Sequence, residues 1–371
     1  MTPEDIQKAL ATVQEPDLKK DLITLNMVKD IRVEGKEVYF TVVLTTPACP
    51  LKEKIRQDCE NAIHSLVSND LKIFISMTSD VSSLRSTAPI MPKVKNIIAI
   101  ASGKGGVGKS TVTSNLAVAL AQEGAKVGII DADIFGPSIP TMFNCETAQP
   151  GLAKSADGKN IILPIEQYGV KLLSIGFLTP ADGAVVWRGP MASSAFRQFM
   201  LDADWGDLDY LLIDMPPGTS DIHLTLVQTV SVTGVVIVTT PQKVALADAQ
   251  RGLSMFKQPQ INVPILGVIE NMSYFTPEEL PDNKYYIFGK DGGKVLASRN
   301  DVHFLGEIPL VQSIREAGDS GKPAVMKDDI TAKAFKEVAK DLARAVALRN
   351  ANLETTKKVE FTVHTAANHQ N

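Results

Sequence analysis

The chain carries one glycine-rich segment, Gly103-Lys104-Gly105-Gly106-Val107-Gly108-Lys109-Ser110-Thr111. The apolar run Ile97 to Ala101 before it predicts a buried strand, and Thr111 to Gln122 after it predicts a helix. Small residues between a strand and a helix let backbone N–H groups surround phosphate oxygens at the positive end of the helix dipole. The segment therefore predicts a nucleotide phosphate site, with a plain glycine turn as the alternative.

Two side chains at the end of the segment are suited to phosphate chemistry. Lys109 is expected to reach the β- and γ-phosphates of a nucleotide, and Ser110 is expected to bind Mg²⁺. Both residues follow the last glycine, where the helix begins, so this spacing indicates a nucleoside triphosphate site more than a structural turn.

The composition is that of an ordinary globular protein. The 371 residues, 44% hydrophobic and 22% charged, allow a large core and two domains. A net charge of −4 gives no reason to expect nucleic acid or an anionic membrane as a partner. Residues 1–8 lack the pattern of a signal peptide and no apolar stretch is long enough to span a bilayer, so a cytoplasmic protein is expected.

The first 85 residues predict a small α/β unit. Its expected elements are a helix from about Pro3 to Val13, strands Ile23 to Val33 and Glu37 to Leu44, a helix from about Pro50 to Val67, and a strand Leu71 to Met77. The stretch Ser79 to Lys95, rich in Ser and Pro, is typical of a linker. We therefore expect a small domain at 1–82, a linker at 83–95, a nucleotide domain at 96–350 and a polar tail at 351–371.

Strands and helices alternate through the nucleotide domain. After Ile97 to Ala101, the expected strands are Lys126 to Asp131, Tyr210 to Asp214, Gly234 to Thr239 and Ile265 to Ile269. This alternation predicts an α/β fold with a mainly parallel sheet flanked by helices. Ile161 to Pro164 and Val170 to Ile175 are expected to pair as a hairpin, and Val359 to Val363 to pair at a sheet edge.

Carboxylates stand where an open parallel sheet places its ligands, at the ends of strands. Asp133 is suited to orient an attacking water, and Asp131 to support the Mg²⁺ shell, although both also suit acidic helix caps. Asp214 is expected to hold Mg²⁺ through water. In the turn Met215-Pro216-Pro217-Gly218-Thr219, the Gly218 amide is expected to sense the γ-phosphate; a proline-rich connector is the alternative.

Together these residues resemble the Mrp/ApbC family of iron-sulfur cluster carrier ATPases, in the deviant phosphate-loop group with MinD, ParA and the nitrogenase iron protein. The resemblance covers about Lys95 to Asn350, and the first 85 residues resemble the iron-sulfur assembly domain often fused in front. It implies a P-loop NTPase that hydrolyses ATP with Mg²⁺ and transfers clusters to apoproteins. Implied partners are iron-sulfur assembly proteins and cluster acceptors.

Lys104 is the lysine after the first glycine. In this group that lysine reaches across a nucleotide-sandwich dimer to the partner's phosphates, so the resemblance implies a homodimer. A second cation near the γ-phosphate stabilises transition-state charge as an arginine finger does. The alternative is a solvated loop lysine. Slow turnover is expected, because hydrolysis would drive a switch.

Asn271 matches the position at which members of this group hydrogen-bond adenine. It lies in Ile269-Glu270-Asn271-Met272-Ser273, at a predicted strand end. A side-chain amide supplies the donor and acceptor that the edge of adenine requires, which favours ATP over GTP. An asparagine in an ordinary turn is the alternative.

The chain departs from the family after this segment. Members with the fullest motif carry a Cys-x-x-Cys pair there, and two subunits' pairs hold a [4Fe-4S] cluster. This chain instead reads Tyr274-Phe275-Thr276-Pro277-Glu278-Glu279-Leu280 and has no cysteine after Cys145. Carboxylates such as Glu278 and Glu279 are poor replacements for thiolates. The bridging site does not transfer, and a bound cluster is implied by resemblance alone.

The remaining thiol of interest is Cys49, in Thr45-Thr46-Pro47-Ala48-Cys49-Pro50-Leu51. Pro50 suits the first position of a helix, which would place Cys49 at the N-cap, where the dipole favours thiolate. The segment resembles the cysteine motif of the assembly domain, which makes Cys49 a candidate iron or cluster ligand; a small buried cysteine is the alternative. Cys59 is expected in the core and Cys145 in a loop. Three scattered cysteines exclude a disulfide framework.

A second function of a different class fits the same loop. A nucleotide-switched ATPase in the manner of MinD or ParA would act as an interaction protein without a cluster. Residues 359–371 lack a basic amphipathic helix for membrane positioning, and the acidic balance disfavours DNA partitioning. A small-molecule kinase would not need Lys104 or the preceding domain.

Overall fold

The computed structural model describes residues 1–85, 88, 90–134, 136–155, 158–178, 189–277, 279–280 and 282–359. The N-terminal unit consists of helices α1 (Pro3–Leu10) and α2 (Lys52–Leu66) and strands β1 (Gln14–Glu15), β2 (Lys20–Asp21), β3 (Val28–Glu34), β4 (Glu37–Leu44) and β5 (Lys72–Ser79). The main sheet of this unit has the order β3-β4-β5, with β3 antiparallel and β5 parallel to β4. The parallel pair requires the crossover that α2 provides.

The core of the N-terminal unit follows from the period of its central strand. Alternate residues of β4 point to opposite faces, and Val38, Phe40, Val42 and Leu44 are all buried. They pack in one cluster with apolar residues of α1 and α2. Cys59 of α2 is fully buried in this cluster, so its predicted core position is confirmed.

The larger unit begins with β6 (Val94–Ala101) and α3 (Lys109–Gln122). Its further strands are β7 (Val127–Asp131), β8 (Gly151–Lys154), β9 (Asn160–Leu163), β10 (Ile165–Gln167), β11 (Val170–Ser174), β12 (Leu208–Asp214), β13 (Gly234–Thr239), β14 (Ile265–Glu270) and β15 (Phe304–Glu307). Its further helices are α4 (Ile139–Met142), α5 (Gly189–Leu201), α6 (Asp221–Thr229), α7 (Lys243–Phe256), α8 (Gly292–Arg299), α9 (Gln312–Asp319) and α10 (Ile330–Asn352).

Eight strands form one sheet in the order β10-β11-β7-β12-β6-β13-β14-β15, and every neighbouring pair except β10 with β11 is parallel. Alternate residues of β6 belong to two different apolar clusters, Ile98 and Ile100 to one and Ile97 and Ala99 to the other. The sheet is therefore covered on both faces, as uninterrupted apolar strands predict. The α/β fold expected from the sequence is confirmed.

The predicted hairpin pairs differently from the expectation. Ile161 to Pro164 does not pair with the run from Val170; strand β9 pairs with β8 instead, and β10 pairs with β11. The reason is the turn between Gln167 and Val170, where Tyr168 and Gly169 have φ angles of 52° and 74°. A two-residue turn with left-handed central residues fixes the register of the strands beside it.

The N-terminal unit touches the larger unit directly. Arg344 of α10 forms an ion pair with Asp17, with 2.7 Å between Nε and Oδ2. The Tyr210 hydroxyl of β12 donates to Thr46 Oγ1 at 3.1 Å. Ala48, from the same loop as Thr46, is buried in one of the two apolar clusters of the large sheet. We refer to this contact region as the seam.

Two further predictions concern the ends of elements. The strand expected from Ile23 begins at Val28, because residues 22–26 form turns in which Asp21 Oδ1 accepts from the Thr24 amide at 2.7 Å. Val359 donates its amide to Val227 O of α6 at 3.0 Å, while residues 360–363 of the predicted edge strand lie outside the described residues.

No helix in the described ranges is both long and apolar enough to cross a bilayer.

Candidate nucleotide-binding site

The loop between β6 and α3 has a geometry that only glycine accepts at several points. Gly106 and Gly108 have φ angles of 80° and 79°, in the left-handed region. A Cβ on Gly103 would lie 2.0 Å from the backbone carbon of Asp248 in α7. A Cβ on Gly106 would meet nothing within 4 Å. The loop is therefore packed against α7 at Gly103 and open at Gly106. This is the cradle that a phosphate group requires.

At the start of α3, a buried ion pair connects the loop to the centre of the sheet. Lys109 Nζ lies 2.8 Å from Asp214 Oδ1, and the exposed fractions of the two side chains are 6% and 0%. Ser110 Oγ donates to Asp214 Oδ2 at 2.5 Å, and Thr113 Oγ1 donates to Oδ1 at 3.0 Å. Three residues expected to handle phosphate and Mg²⁺ are thus brought together.

Asp131 lies next to Asp214, because the two residues end the neighbouring strands β7 and β12 in register. It is fully buried and accepts from Ser174 Oγ at 2.9 Å and from the amides of Asp133 at 3.1 Å and Ile139 at 3.3 Å. Burial, and then the Asp214 charge, raise the pKa of the Asp131 carboxyl. Two carboxylates this close favour a bound cation, which lowers the cost of ionising both.

Asp133 and Lys104 line the same cavity of about 200 Å³ above the loop, together with Ser110, Ser138 and Pro217. Asp133 Oδ2 lies 3.7 Å from Lys109 Nζ. Lys104 is exposed. The structure therefore places Asp133 inside the cavity and Lys104 at its solvent side.

The Gly218 amide does not face the cavity as expected. It donates to Ser102 O at 2.9 Å, and Gly218 has a φ of 76°. The turn after β12 packs against Ser102, the residue that follows β6, and this contact gives the Gly218 amide a hydrogen-bond acceptor within the protein. Contact with a γ-phosphate would require that hydrogen bond to break.

Asn271 is also engaged differently from the expectation. Its Nδ2 donates to Val107 O at 2.8 Å, and a Cβ on Gly108 would lie 2.2 Å from Nδ2. The expected amide donor for adenine is therefore used to support the loop. Asn271 and Thr111 also line a second cavity of about 610 Å³, together with Leu310 and Arg315.

Cys49 does not occupy a helix N-cap. Helix α2 begins at Lys52 and its N-cap is Leu51, since residues 48–51 form a turn before it. Burial raises the pKa of the half-buried Cys49 thiol, so the local field does not favour thiolate as expected. Cys49 lines the seam together with Glu15 and Arg344.

The Cys145 thiol is buried in the large unit. Its Sγ donates to Pro140 O at 3.5 Å, and burial raises its pKa to about 11. Among the residues that the structure describes, no group of three or more His, Cys, Asp or Glu side chains is arranged to hold a metal ion. Glu278 lies outside the described residues.

Sequence reasoning missed two hydroxyl groups of the site. Thr113 stands four residues after Lys109, so helical spacing places both on one face of α3 towards Asp214. Ser174 ends β11 beside Asp131, a neighbour that only the strand order reveals. Sequence spacing alone could have identified Thr113, but it could not have identified Ser174.

His223, on α6 after the turn that follows Asp214, gives the site a pH-dependent neighbour. It is 1% exposed, its Nδ1 accepts from the Ser220 amide at 3.1 Å, and its Nε2 has no hydrogen-bond partner among the described residues. Burial lowers its pKa from 6.5 to about 4. Between these two pH values the unfolded chain binds a proton that the folded chain does not, so stability is retained above pH 6.5 and falls as the pH falls.

We expect His223 to make unfolding pH-dependent. From pH 7 to pH 5, the wild type should lose about 2 kcal/mol more unfolding free energy than His223→Gln, because each pH unit between the two pKa values costs about 1.4 kcal/mol. Glutamine keeps the capping partner of Ser220 and does not titrate. Urea unfolding of both proteins at both pH values measures the difference, and an equal pH dependence would contradict the assignment.

Comparison with known proteins agrees with this geometry. The family described as ParA, NUBPL iron-transfer P-loop NTPase, matches residues 93–343, and the family described as iron-sulfur cluster assembly protein matches residues 3–70. The first match covers more than half of the chain. The chain belongs to the iron-transfer P-loop NTPase family. The prediction of a deviant phosphate-loop NTPase behind a small assembly domain is thereby confirmed.

Relatives of this iron-transfer NTPase extend over nearly its whole length. An iron-sulfur cluster carrier protein of Synechocystis is 47% identical over 352 residues, which are 94% of this chain and 99% of the relative. The chloroplastic Fe-S cluster assembly factor HCF101 of Arabidopsis thaliana is 39% identical over 90% of this chain and 62% of the relative. A nucleotide-binding protein from Archaeoglobus fulgidus, solved with ADP, is 36% identical with a TM-score of 0.56, covering 67% of this chain and 95% of that one.

Proposed function

We propose that this protein is an ATP-hydrolysing carrier or scaffold that transfers iron-sulfur clusters to apoproteins. One observation carries the proposal. The same chain contains the hydrogen-bonded group of Lys109, Ser110 and Asp214 and an N-terminal unit of the iron-sulfur assembly family. A relative named as a cluster carrier is 47% identical over 94% of this chain and 99% of its own length.

The donor groups of the cavity fit Mg²⁺ and a nucleotide triphosphate. Mg²⁺ prefers hydroxyl and carboxylate oxygens, and Ser110 and Asp214 supply these at the foot of the loop, with Asp131 behind them. When bound, Mg²⁺ would neutralise phosphate charge. Lys109 would exchange its contact with Asp214 for the β- and γ-phosphates.

Within this proposal, hydrolysis depends on two further residues. Asp133, which lies in the cavity, would orient the attacking water. Lys104 of a second copy would stabilise charge at the transferred phosphate, which makes the active form a homodimer. Because both copies must assemble around the nucleotide, turnover is slow and couples to dimer rearrangement.

The cavity of about 610 Å³ next to Thr111 is the proposed site for the base and ribose. Its walls include Met272 and Leu310, which offer apolar surface to a planar ring. Asn271 borders this cavity, and its amide would have to release Val107 O to donate to adenine. ATP is the proposed nucleotide on this basis.

Cluster binding would differ from that of family members with a Cys-x-x-Cys pair. Cys49 is the proposed thiol ligand, and it must lose its proton and leave the seam to bind iron. A cluster is usually held by four cysteine thiolates, and Cys49 supplies one of them. The other three ligands would come from a second copy, the acceptor or small thiols. The proposed setting is the cytoplasm, with assembly proteins and acceptors as partners.

One observation favours a second function. Each cysteine has a raised pKa, and none follows Cys145. A nucleotide-switched ATPase without a cluster, acting as an interaction protein, would have no use for reactive thiols. In that case the ATPase chemistry proposed above would be unchanged.

A transfer assay tests the proposed function. The protein, reconstituted anaerobically with iron and sulfide, is mixed with an apo-ferredoxin, and holo-ferredoxin is followed by its visible circular dichroism. We expect transfer that is faster than from free iron and sulfide, resists an iron chelator and changes rate with Mg-ATP. A rate equal to that of free iron and sulfide would contradict carriage.

A further inference from the structure

Two arginines are buried near the C-terminal end of α10, on the side of the large unit away from the phosphate loop. Arg85, from the segment before β6, is 3% exposed, and Arg349, in the last turn of α10, is 7% exposed. A guanidinium stays protonated in proteins, and a buried charge is normally paired with an opposite one. Among the described residues, neither arginine has a carboxylate partner; every acceptor that each one contacts is neutral.

The acceptors of Arg85 are backbone carbonyls of the turn that leads into β6. Its Nη1 donates to Val94 O at 2.5 Å and to Met91 O at 3.5 Å, and its Nη2 donates to Ile90 O at 3.1 Å. Its Nε has no partner among the described residues. Carbonyl dipoles offset part of the charge, and burial lowers the pKa of Arg85 to about 10.

Arg349 repeats this pattern. Its Nη1 donates to Asn350 Oδ1 at 3.2 Å, and its Nη2 donates to Glu354 O at 2.7 Å and to Thr356 Oγ1 at 2.9 Å. Its Nε also has no partner among the described residues. A guanidinium has five N–H donors, so each arginine keeps donors that the protein does not use.

Both arginines line one small cavity of about 10 Å³. The rest of its wall contains hydroxyl and amide side chains and no carboxylate: Ser231, Thr233, Asn350, Thr355 and Thr356. A space of this size is close to that of one water molecule, so it suits a small ion better than a tetrahedral oxyanion. Water would accept hydrogen bonds there but would leave two positive charges uncompensated.

We propose that this cavity is a binding site for one halide-sized monovalent anion, chloride in the cell, held between Arg85 and Arg349 and the surrounding hydroxyl groups. The site is separate from the nucleotide site and does not depend on the proposed function. Small rotations of the two guanidinium groups bring their unused N–H donors to the ion. The anion compensates charge that neither carbonyl groups nor the helix dipole at the end of α10 fully offset.

The position of the site gives it a structural consequence. Asn350 Nδ2 donates to Ser82 O at 3.0 Å, and Thr355 Oγ1 donates to Leu84 O at 2.9 Å. The same residues that surround the cavity therefore tie the segment connecting the two units to the end of α10. Bound chloride stabilises this connection, so the whole chain should unfold at higher temperature when chloride is present.

The direct test is crystallographic. Crystals of the full chain grown or soaked in sodium bromide are measured at the bromine absorption edge. We expect an anomalous peak in the cavity, in contact with both guanidinium groups. A water molecule without anomalous signal would overturn the proposal. A peak that appears only at molar bromide, with no chloride effect in solution, would show an adventitious ion only and would overturn it as well.

The solution test compares sodium chloride with sodium gluconate at constant ionic strength. The thermal midpoint of the wild type should rise with chloride and saturate, as linkage to one site requires. Arg349→Met should be insensitive to the exchange of anions. The matched control, Arg251→Met, replaces an arginine whose side chain is 80% exposed and should respond as the wild type does. Equal midpoints of the wild type in both salts would contradict the site, whether or not Arg349→Met folds.

Discussion

Replacing Lys109 with alanine should abolish ATP hydrolysis, lowering kcat by about a thousandfold or more. The buried ammonium is the one described cation within 3 Å of Asp214, and the proposed function places the developing phosphate charge next to it. Removal of a preorganised charge at such a position costs about 10² to 10³ in rate, and phosphate-directed cations reach higher values. Steady-state phosphate release with Mg-ATP measures the effect.

The same substitution also leaves Asp214 buried without its cation. Breaking a buried pair costs about 3–5 kcal/mol, so loss of activity must be separated from loss of fold. The double variant Lys109→Ala with Asp214→Asn serves as the control, because the amide carries no charge to compensate. We expect it to recover thermal stability and to remain inactive. A single variant that is folded and within tenfold of wild-type kcat would contradict the role of Lys109.

The second large effect is expected from Lys104→Ala. This exposed side chain makes no contribution to the core, so the variant should fold and bind nucleotide as the wild type does. If Lys104 acts as a finger towards a partner's phosphates, kcat should fall by about 10³. Lys104 would contact the nucleotide of the partner and not that of its own subunit. The nucleotide affinity of the monomer, measured by calorimetry, should therefore change by less than about threefold.

Mixing the two inactive variants distinguishes action across a dimer from action within one chain. In a mixed dimer, the subunit with Lys104→Ala keeps Lys109 and receives Lys104 from its partner, so one site is complete. Random mixing makes half of the dimers mixed with one complete site in each, and activity should return to about one quarter of the wild type. No recovery on mixing would contradict the proposed dimer.

Much of the fold and of the site was accessible from the sequence. Uninterrupted apolar runs such as Ile97 to Ala101 predict strands buried on both faces, and β6 shows this burial. Because parallel strands carry ligands at their carboxyl ends, Asp131 and Asp214 were expected at one edge, and they are paired neighbours in register. Pattern and strand direction together determine these positions.

Two site predictions meet a competing set of contacts in the structure. Gly218 and Asn271 are predicted to contact a nucleotide, but their amides donate to Ser102 O and Val107 O, because polar groups next to a loop of bare backbone also satisfy each other. Sequence spacing does not distinguish a donor aimed at a ligand from one aimed at a neighbouring carbonyl. The N-cap position predicted for Cys49 is wrong for another reason. A proline near a helix start predicts the first helical residue only to within a residue or two, and the identity of the cap depends on that residue.

The seam gives the two units direct contacts through which they could act together in the proposed function. The loop that carries Cys49 is bound through Thr46 to Tyr210, four residues before Asp214 on the same strand. Arg344 and its ion-pair partner Asp17 line the same cavity as Cys49. A rearrangement at the nucleotide site therefore has a short covalent and hydrogen-bonded route to the candidate cluster ligand.

Anaerobic reconstitution with iron and sulfide tests the carrier assignment most directly. Bound iron, bound sulfide and visible absorbance are compared among the wild type, Cys49→Ser and Cys145→Ser, the last replacing a buried thiol of the large unit. We predict a cluster in the wild type and in Cys145→Ser that is lost in Cys49→Ser. A wild-type protein that binds no cluster would contradict the carrier and leave a nucleotide-switched ATPase.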